Sequence, residues 1–133
     1  MAARILVVED NAANLELVRY LLTFHGYTVL SACDGAHGVA LAHQEQPDLV
    51  ICDLQLPALD GYEVLAQLRE HAGNTRLPIV AVTAYSMPRD RHTVLSAGFD
   101  GYLSKPIEPA NFVGQIEAYL PAALRTRRPE PGR

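Results

Sequence analysis

The sequence predicts an α/β domain built as a doubly wound, five-stranded parallel sheet with five helices. Two observations carry that prediction. Short β-rich apolar runs alternate five times with helical segments, and no hairpin signal joins one strand to the next. The chain has 133 residues, 49% of them hydrophobic and 20% charged, which is the size and composition of one globular domain. A chain of this length buries about two-thirds of its surface on folding and needs no disulfide or metal staple. It is expected to leave no room for a second, effector module.

Residues 5–8, Ile-Leu-Val-Val, form a first strand apolar on both faces, as in a central parallel strand. Residues 11–24 form a helix, with Leu15, Val18 and Leu22 at helical spacing beside Leu17 and Leu21, and Gly26 closes it. Residues 28–32 read as a second strand. Asp34-Gly35 makes a turn, and a short helix carrying Val39, Ala40 and Leu41 stops before Pro47. Residues 49–52 form a third strand that runs into Asp53. Residues 61–70 form a third helix with Val64, Leu65 and Leu68 on one side. Pro78 introduces a fourth strand at 79–82, and a weaker helix at 89–97 ends at Gly98. A short fifth strand occupies 101–104. The last helix spans 110–119, with Phe112, Ile116, Tyr119 and Leu120 as its apolar stripe.

Charge narrows the function. The formal net charge is −4 and the pI about 5.7, which argues against a nucleic-acid-binding domain. Residues 125–133 carry four arginines against one glutamate, so the acidic body of residues 1–124 ends in a basic tail expected to be disordered. There is no apolar run long enough to span a membrane, and the apolar stretch after Arg4 is too short for a signal-peptide core. Two cysteines without metal or CxxC spacing suggest reduced, cytoplasmic packing residues.

The strands end in residues able to do chemistry: Glu9-Asp10 after the first, Asp53 after the third, Thr83 after the fourth, Ser104-Lys105-Pro106 after the fifth. Ligands of an open parallel sheet bind outside these carboxyl ends. Lys105 is the only lysine in the chain. A lone compact cation beside three carboxylates reads as a specific electrostatic partner. Oxygen-only ligands with no nearby histidine or cysteine favour magnesium over zinc. A carboxylate nucleophile, a divalent cation, a hydroxyl and an ammonium together suit phosphoryl transfer.

Four segments carry a family resemblance: Val7-Val8-Glu9-Asp10-Asn11, Asp53-Leu54-Gln55-Leu56-Pro57-Ala58-Leu59-Asp60-Gly61, Ala81-Val82-Thr83-Ala84, and Gly101-Tyr102-Leu103-Ser104-Lys105-Pro106-Ile107. In this order at strand ends they resemble the response-regulator receiver domain of two-component signalling, over about residues 4–120. The finer context resembles stand-alone regulators of cell-cycle type and hybrid-kinase receivers. The resemblance implies a flavodoxin-like sheet of order 2-1-3-4-5. It implies that Asp53 accepts a phosphoryl group from a histidine kinase or phosphotransfer protein, the domain catalysing only its own phosphorylation and dephosphorylation. Asp10, Asp53 and the Gln55 backbone carbonyl would ligate Mg2+ (or Mn2+), with Glu9 assisting through a water. Thr83 and Lys105 would bind the phosphoryl oxygens, and the Lys105-Pro106 bond would be cis. Thr83 and Tyr102 would form the switch that alters the face of the fourth helix, fifth strand and fifth helix for a downstream partner. The chain would be a monomer or a phosphorylation-dependent dimer. Gln55 and Tyr85 occupy the positions that tune dephosphorylation, and the bulk of Tyr85 suggests a shielded, longer-lived acyl phosphate.

Other readings of the same architecture fit less well. A haloacid-dehalogenase-type phosphatase needs a second aspartate where Gln55 stands, and a flavodoxin needs a hydroxyl-rich loop where Glu9-Asp10-Asn11-Ala12 stands. A degenerate, unphosphorylated receiver would not need the full acidic set with Thr83 and Lys105. Asp34, Asp60 and Asp100 read as turn formers or caps, and Asn11 and Asn14 as caps of the first helix. The five histidines lack ligand spacing and read as solvated, while Tyr20, Tyr27, Tyr62 and Tyr119 read as amphipathic packing residues. On the implied strand order, Cys33 and Cys52 lie two strand spacings apart, about 10 Å and too far for a disulfide.

Overall fold

The computed structural model describes residues 3–71, 76–84 and 88–125. Five strands alternate with five helices: β1 (Arg4–Val8), α1 (Ala12–Phe24), β2 (Thr28–Ala32), α2 (Gly35–Glu45), β3 (Leu49–Asp53), α3 (Gly61–Glu70), β4 (Ile79–Thr83), α4 (Pro88–Ala97), β5 (Gly101–Ser104) and α5 (Pro109–Glu117). A 3-10 turn, Ala122–Leu124, follows. The sheet is wholly parallel in the order β2-β1-β3-β4-β5, the order that the resemblance implies.

The pleat divides each central strand between two cores. Ile5, Val7, Leu49, Ile51, Val80 and Val82 face one side with α1 and α5, where Leu22, Phe112 and Ile116 cover them. Leu6, Val8, Val50, Cys52, Ile79 and Ala81 face the other, under Val39, Leu65, Leu68 and Val94. Burial on both faces explains why β1, β3 and β4 are continuous apolar runs rather than alternating ones.

Local chemistry sets the helix starts. The Asn11 side chain accepts the Asn14 N–H to cap α1, and Asp34 does the same for α2 through His37. Asp60 and Glu63 form a reciprocal capping box at α3. Asp60 and Asp34 are therefore the caps expected of them. Asp100 is not a helix cap; its carboxylate accepts the Ile79 N–H and pairs with Arg69. α5 begins at Pro109, where a proline at the first position forfeits no hydrogen bond, and ends at Glu117, two residues earlier than the apolar stripe suggests.

Three expectations change. Cys33 is exposed, lying just past β2 where the chain turns into α2, so it is not a packing residue; Cys52 is, buried in β3. Tyr20 is two-thirds exposed and stacks on the exposed Phe24 one turn on, whereas Tyr27 is buried as expected. The histidines are not all independent, since the rings of His43 and His71 stack with centroids 4.5 Å apart. Tyr85 and tail residues 126–133 lie outside the described residues.

Candidate functional site

The strand order reverses between β1 and β3, and that is where the acidic residues meet. The β1–β3 register sets Val8 opposite Cys52, so Glu9 emerges beside Asp53. The β3–β4 register sets Asp53 opposite Val82, and β4–β5 sets Thr83 opposite Ser104. One more residue along β5, the Lys105 N–H donates to the Thr83 carbonyl at 2.8 Å. Hydrogen bonding across four strands thus brings Glu9, Asp10, Asp53, Thr83 and Lys105 to one end of the sheet. The Lys105–Pro106 peptide bond is cis.

Oxygens of Glu9, Asp10 and Asp53 lie within 4.8 Å of one another. Glu9 and Asp53 are buried, at 5% and 3% exposure, and Asp10 opens to solvent. The Lys105 Nζ donates to Asp53 Oδ2 at 2.9 Å and pairs with Glu9 Oε1 at 3.1 Å. The other oxygens of both carboxylates take backbone donors. The Gln55 N–H donates to Asp53 Oδ1 at 2.9 Å and the Asn11 N–H to Glu9 Oε2 at 3.2 Å. Neither N–H was legible as a site group, because a backbone donor has no side-chain signature; its position two residues past each carboxylate is the only sequence signal.

Three carboxylates against one ammonium leave the cluster short of positive charge. Burial, and then the hydrogen bond and negative charge of Asp53, push Glu9 up to about 7. Burial works against the Lys105 charge, but its hydrogen bonds to Asp53 and Glu9 outweigh it, so the ammonium is held above its ordinary range. Cys52, buried behind Asp53, is pushed far up by burial and is inert as a nucleophile. An all-oxygen donor set of this kind, two members buried and without a nitrogen or sulfur ligand, fits a magnesium ion.

Thr83 is fully buried and lines a cavity of about 200 Å³ together with Leu54, Tyr62 and Val94. Tyr102 is half-buried, packed against the core under α2 to α4. A second cavity, about 590 Å³, runs along β5 between α4 and α5 past Arg91, Tyr102, Asn111 and Gln115. Gln55 is exposed at the mouth of the site. No helix among the described residues is long and apolar enough to cross a membrane.

Comparison with known proteins agrees with this arrangement. The family model for the response regulator receiver domain matches residues 5–117. The polar-differentiation response regulator DivK of Brucella ovis is 35% identical over 120 residues, covering 90% of this chain and 98% of that protein. Chemotaxis protein CheY4 of Vibrio cholerae superposes with a TM-score of 0.85 at 27% identity, over 90% of this chain and all of that one. The receiver domain of a sensor histidine kinase of Pseudomonas aeruginosa PAO1, solved with a magnesium ion coordinated in its active site cleft, is 34% identical with a TM-score of 0.81, over 90% and 98% of the two chains. A match spanning sheet, helices and strand-end motifs alike makes this chain a member of the response-regulator receiver domain family of two-component signalling.

Proposed function

We propose that this chain is a phosphorylation-controlled switch, with Asp53 as its phosphoacceptor. Residues 1–124 form the receiver, residues 125–133 a basic appendage, and the protein works in the cytoplasm. The observation that carries the reading is the environment of Asp53: a carboxylate at 3% exposure, hydrogen-bonded at 2.9 Å by the only lysine in the chain, among oxygens suited to a divalent cation.

The donor is a phosphohistidine on a histidine kinase or phosphotransfer protein. The Asp53 carboxylate attacks phosphorus, the P–N bond breaks, the imidazole leaves with its electron pair, and an aspartyl phosphate forms. Asp10, Asp53 and the Gln55 carbonyl, assisted by Glu9, would hold Mg2+, which would supply positive charge for the phosphoryl oxygens. Lys105 already stands at Asp53 and passes its hydrogen bond to the transferred group. The Thr83 hydroxyl turns toward the same oxygens, and Tyr102, two strand positions before Ser104 on β5, moves inward behind it. The groove between α4 and α5 then changes shape for a downstream protein. Gln55 at the mouth, and Tyr85, govern access of the hydrolytic water.

Incubation with acetyl phosphate and Mg2+ tests the reading. The wild type gains the mass of one phosphoryl group, and Asp53→Asn does not. Equal labelling of the two proteins overturns the assignment.

A further inference from the structure

Far below the acidic cluster, at the opposite end of the sheet, the Arg69 guanidinium joins three pieces of chain. Its NH1 donates to the Leu77 carbonyl at 2.7 Å, just before β4. Its NH2 reaches the Gly98 carbonyl at 3.3 Å and Asp100 Oδ2 at 2.8 Å, both in the turn between α4 and β5. The same Asp100 oxygen accepts the Ile79 N–H at 2.8 Å, and the Asp100 N–H donates to the Ile79 carbonyl at 2.8 Å. Asp100 thus occupies both main-chain groups of the first residue of β4, and Arg69 holds its carboxylate there. The Arg69 side chain is three-quarters buried, and the planar donors of its guanidinium match these diverging acceptors.

β5 needs such an anchor. It has four residues and, among the described residues, pairs with β4 alone. Register is ordinarily specified by the apolar pattern, and here Leu103 is its one buried apolar side chain beyond Gly101. Nothing bulky marks Gly101, because the ring of Tyr119 occupies the space a side chain would take. A slip of two residues keeps every side chain on its own face yet moves the strand by about 6.6 Å. Lys105, directly after β5, would then lose both its carboxylates.

We propose that Arg69 is a positioning residue for Lys105: with Asp100 it pins the start of β5 to β4 and so sets the register that delivers the ammonium to Asp53. The proposal rests on Asp53 being the phosphoacceptor only for its kinetic consequence; the structural consequence stands apart from it. Asp10, Asp53 and Gln55 belong to β1 and β3 and their loops, so the metal site does not depend on the clasp, whereas Lys105 does.

The experiment compares wild type with Arg69→Ala and Arg69→Lys, each shown to be folded by circular dichroism at the working temperature. Three readouts are taken: the Mg2+ dissociation constant from tyrosine fluorescence, the rate of labelling by acetyl phosphate at saturating Mg2+, and the side-chain ammonium NMR signal of the single lysine in 15N-lysine-labelled protein. Arg69→Ala leaves Mg2+ affinity within about twofold, slows labelling about tenfold or more, as misplacement of a reacting group by an ångström or more does, and removes the ammonium signal that hydrogen bonding protects. Arg69→Lys restores part of the labelling rate, since one ammonium cannot span the acceptors of a guanidinium; the ammonium signal is compared only between wild type and Arg69→Ala, because Arg69→Lys adds a second lysine. An unchanged ammonium signal in Arg69→Ala overturns the proposal, as does a fall in Mg2+ affinity parallel to the rate, which marks a general loosening. Should Arg69→Ala fail to fold, Asp100→Asn, which keeps an acceptor for Ile79 but removes the ion pair, is judged by the same criteria. If even the wild type takes no phosphoryl group while the ammonium signal responds, the phosphoacceptor reading fails and the positioning role of Arg69 stands.

Discussion

Replacing Asp53 with asparagine in metal-free protein should raise stability. Each pair among the three carboxylates, at up to 4.8 Å, repels by about 3–4 kcal/mol at an effective dielectric constant of about 20. Lys105, at 2.9 Å, attracts Asp53 by about 6 kcal/mol on the same scale. Removing the Asp53 charge deletes two repulsions and one attraction, which nearly cancel. What remains is the desolvation of a carboxylate at 3% exposure, on the order of several kcal/mol. Loss of one partner usually orphans the other, but Lys105 keeps Glu9 at 3.1 Å, and an asparagine oxygen still accepts the Gln55 N–H. The net expectation is a gain of about 1–3 kcal/mol, or roughly 4–12 °C in Tm. Urea unfolding in EDTA at pH 8, where Glu9 is ionised, measures it. Mg2+ at ten times its dissociation constant should then add about 1.4 kcal/mol to the wild type and much less to the variant. A variant less stable than wild type in EDTA would refute the reasoning, because it would mean that the Asp53–Lys105 pair outweighs both repulsion and desolvation.

The other predictions use the same unfolding assay. Glu9, raised from an ordinary 4.5 to about 7, holds a proton in the folded state that the unfolded chain has lost; its contribution is complete below about pH 4.5 and disappears as pH rises through 7. Stability in EDTA should therefore fall across that window by an amount on the order of 2–3 kcal/mol that Glu9→Gln removes; an identical slope in the variant contradicts this. Ala58, at φ 65 in the turn closed by the Leu59 N–H and the Pro57 carbonyl, sits where glycine is favoured, so Ala58→Gly should stabilise by about 0.5–1 kcal/mol, and a loss would show the strain to be absent. Phe112→Ala should cost about 3–5 kcal/mol, the ring being 1% exposed between α5 and the sheet; a cost under 1 kcal/mol would mean that this core closes over the cavity.

What the sequence could and could not reveal follows from the range of the interactions. Leu49 to Cys52 announce a doubly buried strand by themselves, and Asp53 and Thr83 stand out because each ends such a run. Asp34 and Asp60 are legible as caps since their hydrogen bonds reach only three residues ahead. The contact of His43 with His71 and the clasp of Arg69 on Asp100 join side chains about 30 residues apart across separate elements, where spacing rules for a single helix say nothing. Cys33 is small and apolar yet exposed, because it follows β2 directly, where the chain leaves the sheet for α2, and residue type alone does not report that departure.

The order β2-β1-β3-β4-β5 also has a temporal meaning. A polypeptide made from its N-terminus has Glu9, Asp10 and Asp53 in hand when β1, β2 and β3 first come together, while its only lysine lies some fifty residues further along. Until the edge strand β5 pairs with β4, Glu9 and Asp53 lack the ammonium that reaches both of them in the folded sheet. The charge balance of the site is thus completed from a strand of four residues at the edge of the sheet.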